Sequence, residues 1–189
     1  MKFGEHLRIA VLMTIVTTVL LGLAYPLAIT GLAHALFPDK ANGQLIRRGN
    51  AVIGSRIIGQ PFSGPGYFHS RPSAAGTGYD ATASGGSNLG PTNRALINRV
   101  TADVASLSAQ SPGVPIPIDL VTTSASGLDP DISPAAADFQ VARVARERGI
   151  TQEQVRALVA QHTRGRQWGF LGEPRVNVLE LNLALDTSQ

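Results

Sequence analysis

The sequence predicts an α+β domain carried on a single N-terminal transmembrane helix, and three observations predict it. Ile9 to Phe37 contains no Asp, Glu, Lys or Arg across 29 residues, and a helix that crosses the hydrocarbon needs about 20 apolar residues. Beyond Pro38 the chain alternates short apolar runs with turn signals, as strands do, and then shows helical periodicity over Asn93–Gln110. After Ser133 two capped helices follow in succession.

The anchor comes first. A helix apolar all round has no face for water, so such a run is rare in a soluble domain. Residues 1–8 form a short tail, 9–37 the transmembrane helix with an outer extension, and 38–189 the domain. The hydrocarbon takes Ile9 to about Thr30, and the surplus to Phe37 tilts or extends the helix. Pro26 has no N–H for the carbonyl of Gly22, which predicts a kink there. Ala10, Thr14, Thr18 and Gly22 recur every four residues, a row of small and hydroxyl side chains along which another helix can approach closely. A cleaved signal peptide is the rival reading, with Lys2 and Arg8 as its basic region and Ala33-His34-Ala35 as a small-x-small site. The apolar run exceeds the usual 7–15 or so residues of such a peptide, and Pro38-Asp39 closes it as a helix stop. Lys40, Arg47 and Arg48 follow the span, so basic residues flank both ends and do not orient it.

The formal charge is +3, which invites a nucleic-acid reading that its distribution rejects. Pro38 to Asp138 carries 7 Lys/Arg and 7 Asp/Glu, whereas Gln140 to Arg175 carries 7 Arg and 3 Glu. The excess is one Arg-bearing region: a solvated helix face, or a docking surface for an acidic partner or lipid headgroups. The chain has no cysteine, which excludes thiol catalysis, disulfides and Cys-ligated metal.

In the domain, Gln44-Leu45-Ile46 and Ala51-Val52-Ile53 flank Arg48-Gly49-Asn50 as a hairpin, with Ser55 to Gly59 continuing the pairing. Gln60 to Pro91 is dense in Gly, Pro and Ser but carries Phe62, Tyr67, Phe68 and Tyr79, an ordered loop pinned by aromatics. Ile116 to Val121 reads as a strand that Pro115 and Pro117 confine to an edge. Ser133-Pro134 caps a helix that runs to Arg148 and stops at Gly149. Thr151 and Gln154 form a capping box for a helix to His162, with Ile150 and Val155 as its staple. Val176–Asp186 is ambiguous: alternating leucines suggest a strand, while Asn177 with Glu180 and the leucine content lean to helix.

Catalytic signatures are sparse. His69 and His162 stand in no metal-ligand spacing. Gly85-Gly86-Ser87-Asn88-Leu89 lacks the last glycine of the hydrolase elbow, and nothing in the spacing joins Asp119 or Asp129 to His69. No Gly-Lys-Ser/Thr triplet exists, and Gly76-Thr77-Gly78-Tyr79-Asp80-Ala81 follows no apolar strand. Ser84-Gly85-Gly86-Ser87 ahead of Asn88 can form a backbone nest for an anion, or a plain turn. An anchored accessory subunit is the reading these residues favour. An anchored hydrolase and an anchored ligand-binding or sensor module are the alternatives.

Several stretches together resemble the C subunit family of Kdp-type potassium-transporting ATPases. They are Tyr25-Pro26-Leu27, Ala41-Asn42-Gly43, Ile58-Gly59-Gln60, Tyr67-Phe68-His69-Ser70-Arg71-Pro72-Ser73 and Ser84-Gly85-Gly86-Ser87-Asn88-Leu89-Gly90-Pro91. Asp119-Leu120-Val121, Ser126-Gly127-Leu128-Asp129-Pro130, Ile132-Ser133-Pro134-Ala135-Ala136, Gly172-Glu173-Pro174, Val176-Asn177-Val178-Leu179 and Leu181-Asn182-Leu183-Ala184-Leu185-Asp186 continue the ordered set. The resemblance implies a bacterial inner-membrane complex that imports K⁺ at the expense of ATP. Its partners would be a potassium-pathway subunit and a P-type ATPase subunit, with membrane lipid around the span. It further implies a cytoplasmic N-terminus, an extracytoplasmic α+β domain and no signal cleavage. The family is described as a catalytic chaperone that raises ATP affinity of the ATPase subunit. For nucleotide contact the residues to test are Ser84, Gly85, Gly86, Ser87, Asn88 and Gln140. ATP is cytoplasmic, however, and about eight residues precede the span, so an effect on ATP is expected to pass through the helix.

Overall fold

Thirty-four residues, Phe3–Leu36, form one helix whose apolar side chains are uncovered on every side. At about 1.5 Å per residue it is roughly 50 Å long, more than the roughly 30 Å of hydrocarbon. The computed structural model describes residues 3–187. Lys2 of the basic region and the last two residues of the domain therefore lie outside the described residues. The chain forms two units, one up to Leu45 and one from Ile46.

The first unit is the long helix in three parts, α1 (Phe3–Thr17), a π-helical stretch (Thr18–Ala24) and α2 (Tyr25–Leu36), followed by the short α3 (Pro38–Ala41). The π stretch is where the sequence predicts a kink. A proline ring crowds the carbonyl four residues back and offers it no donor. Widening the turn absorbs the defect, and the Tyr25 N–H accordingly bonds the Leu20 carbonyl, five residues back. Just upstream, the Thr17 hydroxyl donates to the Met13 carbonyl at 2.8 Å.

The second unit is built on three helices, α5 (Pro134–Arg148), α6 (Gln152–His162) and α7 (Val178–Thr187), and a small antiparallel sheet. The sheet order is β3 (Asp131–Ile132), β5 (Arg175–Asn177), β4 (Thr163–Arg164), with Val176 opposite both Ile132 and Thr163. Val141, Val144, Val155, Val176, Leu181, Leu185 and Phe68 form the core. The caps stand where the sequence puts them. The Ser133 hydroxyl accepts from Ala136 N at 3.0 Å, Gly149 ends α5 at φ +66°, and the Thr151/Gln154 box is complete. The hairpin is β1 (Leu45–Arg48) and β2 (Ala51–Ser55), turned at Gly49 with φ +60°. Asn93 caps α4 (Arg94–Gln110), in which no residue is buried.

Three expectations change. Ile116–Val121 is no strand: Ile118–Leu120 is a 3₁₀ turn. Pro115 and Pro117 offer no ladder donors, and the Asp119 carboxylate is used instead to accept from Ser133 N at 2.7 Å and the Ser133 hydroxyl at 3.1 Å. The β1–β2 pairing stops at Ser55 and does not reach Gly59. Gly59 instead lies against another loop, where a Cβ would stand 2.5 Å from the Asp129 carbonyl oxygen. The ambiguous tail is both elements, β5 through Asn177 and then α7. Only half its capping box forms: Glu180 N bonds Asn177 Oδ1 at 3.1 Å, while the Glu180 carboxylate pairs with Arg56 and Arg164.

The Gln60–Pro91 segment carries no strand and a single 3₁₀ turn at Ala81–Ala83, yet it is held at many points. Asn182 accepts from Phe68 N at 2.8 Å and donates to Phe68 O at 2.9 Å. Gln140 does the same for the next residue, accepting from His69 N at 2.8 Å and donating to His69 O at 3.1 Å. Two amide side chains thus replace a neighbouring strand and satisfy backbone groups that burial would otherwise orphan.

Candidate functional site

Two surfaces are candidates for function: the flank of the long helix and the outer face of the domain. On the helix, Ala10, Thr14, Thr18 and Gly22 are all exposed. A Cβ on Gly22 would meet only the Thr18 methyl, at 3.8 Å, so the two stack and the glycine leaves a shallow notch. Gly22 lies inside the π stretch. The widened turn shifts everything after Thr18 relative to an unbroken α-helix.

On the domain, a cleft of about 510 Å³ is lined by Arg71, Asp119, Asp129, Asp131, Glu173 and Arg175, among others. Its charges are paired: Arg71 with Asp129 at 2.9 Å and Arg175 with Asp131 at 3.1 Å. Burial is the main influence on Asp131, raising its pKa above the usual carboxylate value, opposed by the Asn177 amide and Arg175. Arg71 also reaches the carbonyls of Thr122 and Thr123, so it serves the loop. Among the described residues no group of three or more His, Asp or Glu is arranged to hold a metal ion.

The nucleotide candidates fall in two separate places. Gly85 N bonds the Ser126 carbonyl at 2.9 Å, and the Ser84 hydroxyl donates to the same oxygen at 3.0 Å. A first donor of the Ser84–Asn88 nest is therefore spent on Ser126. Gly127 belongs to the same crossing, since a Cβ there would lie 2.7 Å from Ala75 N and 2.8 Å from the Gly85 carbonyl oxygen. Gln140 is 4% exposed and lines a different cleft with His69, Ser70, Leu107 and Arg143. Beyond its His69 bonds, its amide donates to Ala136 O and accepts from Arg143 at 2.6 Å. Every hydrogen-bonding position of that amide is occupied by the fold.

The hydrolase constellation is not assembled. The His69 ring faces the Gly64 carbonyl at 3.0 Å, with its pKa pushed down by burial. Asp119 caps Ser133 and Asp129 holds Arg71. His162 folds back on the Leu158 carbonyl.

Residue patterns did not reveal three features. Asn182 is a lone amide between Leu181 and Leu183, and its isolation in an apolar stretch was the available signal. Arg148 is half-buried, its side chain covered by long-range packing that sequence cannot display. It pairs with Asp186 at 2.9 Å, donates to Gly66 O at 2.7 Å and lies 4.6 Å from the Tyr67 ring centre. The third is the Gln167–Leu171 turn, which exposes Trp168 and Phe170.

A family model described as KdpC, K⁺-transporting ATPase c chain, matches residues 7–187. The chain belongs to the KdpC family. Similar proteins include the potassium-transporting ATPase KdpC subunit of Koribacter versatilis, 68% identical over 185 residues, which cover 98% of this chain and 96% of that one. The KdpC subunit of Acidobacterium capsulatum is 61% identical over 182 residues, 96% of this chain and 98% of that one. That of Caulobacter vibrioides is 59% identical over 183 residues, 96% and 93% of the two chains. The KdpC match spans both units, so the long helix and the domain belong to one family pattern.

Proposed function

We propose that this chain is the accessory, non-catalytic subunit of an ATP-driven potassium uptake complex, held in the bacterial inner membrane by one span with its N-terminus inside. The observation that carries this reading is the family match over nearly the whole chain, joined to a helix uncovered on all sides. Its partners are a potassium-pathway subunit and a P-type ATPase subunit. The helix packs on them through Ala10, Thr14, Thr18 and Gly22, where small residues let backbones approach. The domain, outside the membrane, meets the potassium-pathway subunit through the surface of the Gln60–Pro91 loop. ATP is bound by the complex, and the chain alters ATP affinity through its helix, as a coupling free energy between states of the assembly. Gln140, with its amide filled, favours this route over direct nucleotide contact.

The test is a double substitution, Thr14→Leu with Gly22→Leu, which fills the notch and keeps the helix apolar enough to span the membrane. Co-purification of the larger subunits with the full chain should fall several-fold in mild detergent. Undiminished recovery would remove the packing face from the account.

A further inference from the structure

The turn at Gln167–Leu171 exposes three large apolar side chains at one tip: Trp168 at 85%, Phe170 at 66% and Leu171 at 42%. Trp168 has φ +52° and Gly169 φ +83°, the left-handed pair that a tight primed turn requires and that Asn-Gly ordinarily supplies. A bulky ring in that conformation is disfavoured. Here no burial within the domain offsets it, because the ring lies in solvent 6.5 Å from that of Phe170. Strain of this kind, unrewarded by the fold, points outward.

The backbone of the tip is closed on itself. Gln167 N and Leu171 N bond each other's carbonyls at 2.8 and 2.9 Å, and Phe170 N bonds Gln167 O at 3.2 Å. It can therefore leave bulk water without orphaning these N–H groups. At its base Arg164 and Arg166 hold Glu180 and Glu173, each at 2.6 Å. Arg175, the third arginine of Thr163 to Arg175, pairs with Asp131 at 3.1 Å, so the base of the tip is neutralised within the domain and its apolar side chains are what it offers.

We propose that this tip is a second, interfacial membrane contact, in which Trp168, Phe170 and Leu171 enter the headgroup region of the phospholipid bilayer. Tryptophan is the residue of membrane–water interfaces. A fluid headgroup layer demands no complementary shape. A stable protein interface wants about 800 Å² from each side, and two aromatics of about 150–250 Å² each with one leucine fall short of that alone. The chain's own span keeps the domain near lipid. The proposal rests on that single-span reading and goes beyond it.

Trp168 is the only tryptophan in the chain, so its fluorescence reports the tip alone. The full chain is reconstituted into phosphatidylcholine–phosphatidylglycerol vesicles, with or without nitroxide on the acyl chain near the headgroup. The nitroxide should remove most of the Trp168 emission, and acrylamide should quench it weakly. Phe170→Ser with Leu171→Ser should restore acrylamide access several-fold. Trp168 open to acrylamide and untouched by nitroxide overturns the proposal. Shielding that appears only after the larger subunits are added overturns it as well, and assigns the tip to a protein contact. Flotation of the same vesicles reports the span separately, so failure of the tip and failure of the anchor are distinguishable.

Discussion

Asn182 shows what one side chain does in this domain. It is buried beside Leu181, and its amide closes both backbone groups of Phe68, the largest fully buried side chain. Asn182→Leu would leave a buried N–H and a buried carbonyl without partners, at about 1–3 kcal/mol each. We expect the variant to lose about 2–5 kcal/mol of stability, read as a lower thermal unfolding midpoint of the full chain in detergent. An unchanged midpoint would mean that the clamp is dispensable. Gln140 is its counterpart one residue on, and the same bonds that fix His69 leave its amide no free position. Only the family resemblance makes Gln140 a nucleotide candidate, since no local pattern points to it. Distance along the chain hid its real partner, 71 residues away.

At the scale of elements, sequence was most legible where the determinants are local. The Ser133 cap, the Gly149 stop and the Thr151/Gln154 box each involve neighbours within four residues, and each stands as read. Ile116–Val121 has the alternating apolar residues of a strand, but its two prolines offer no ladder donors and the deciding contact, Asp119 to Ser133, is long-range. Just before Pro26, where the sequence predicts a kink, the helix takes a π stretch, a choice the proline permits but does not specify. Helix α4 is amphipathic in sequence, yet none of its residues is buried and only Leu107 packs on the core. Few buried contacts mean cheap local opening. Its amides from 98 to 110 should exchange with solvent at least about tenfold faster than those of Val141–Ala145. Equal protection in hydrogen exchange of the isolated chain would contradict that.

For the whole molecule, the long helix and the domain are both legible as classes, and the KdpC family match joins them in one chain. Residue patterns could not indicate the Trp168 tip, because an exposed aromatic and a core aromatic look alike until the chain around them is placed. Orientation across the membrane is likewise invisible in the flanking charges, because basic residues stand at both ends of the span. We propose that this chain works inside a larger membrane assembly and has no independent activity. A tagged full chain, drawn from its native membrane in mild detergent, tests it most directly. Two large membrane subunits, one carrying the potassium pathway and one the ATPase, should come with it in fixed ratio. The chain recovered alone, from cells in which those subunits are present, would contradict the account.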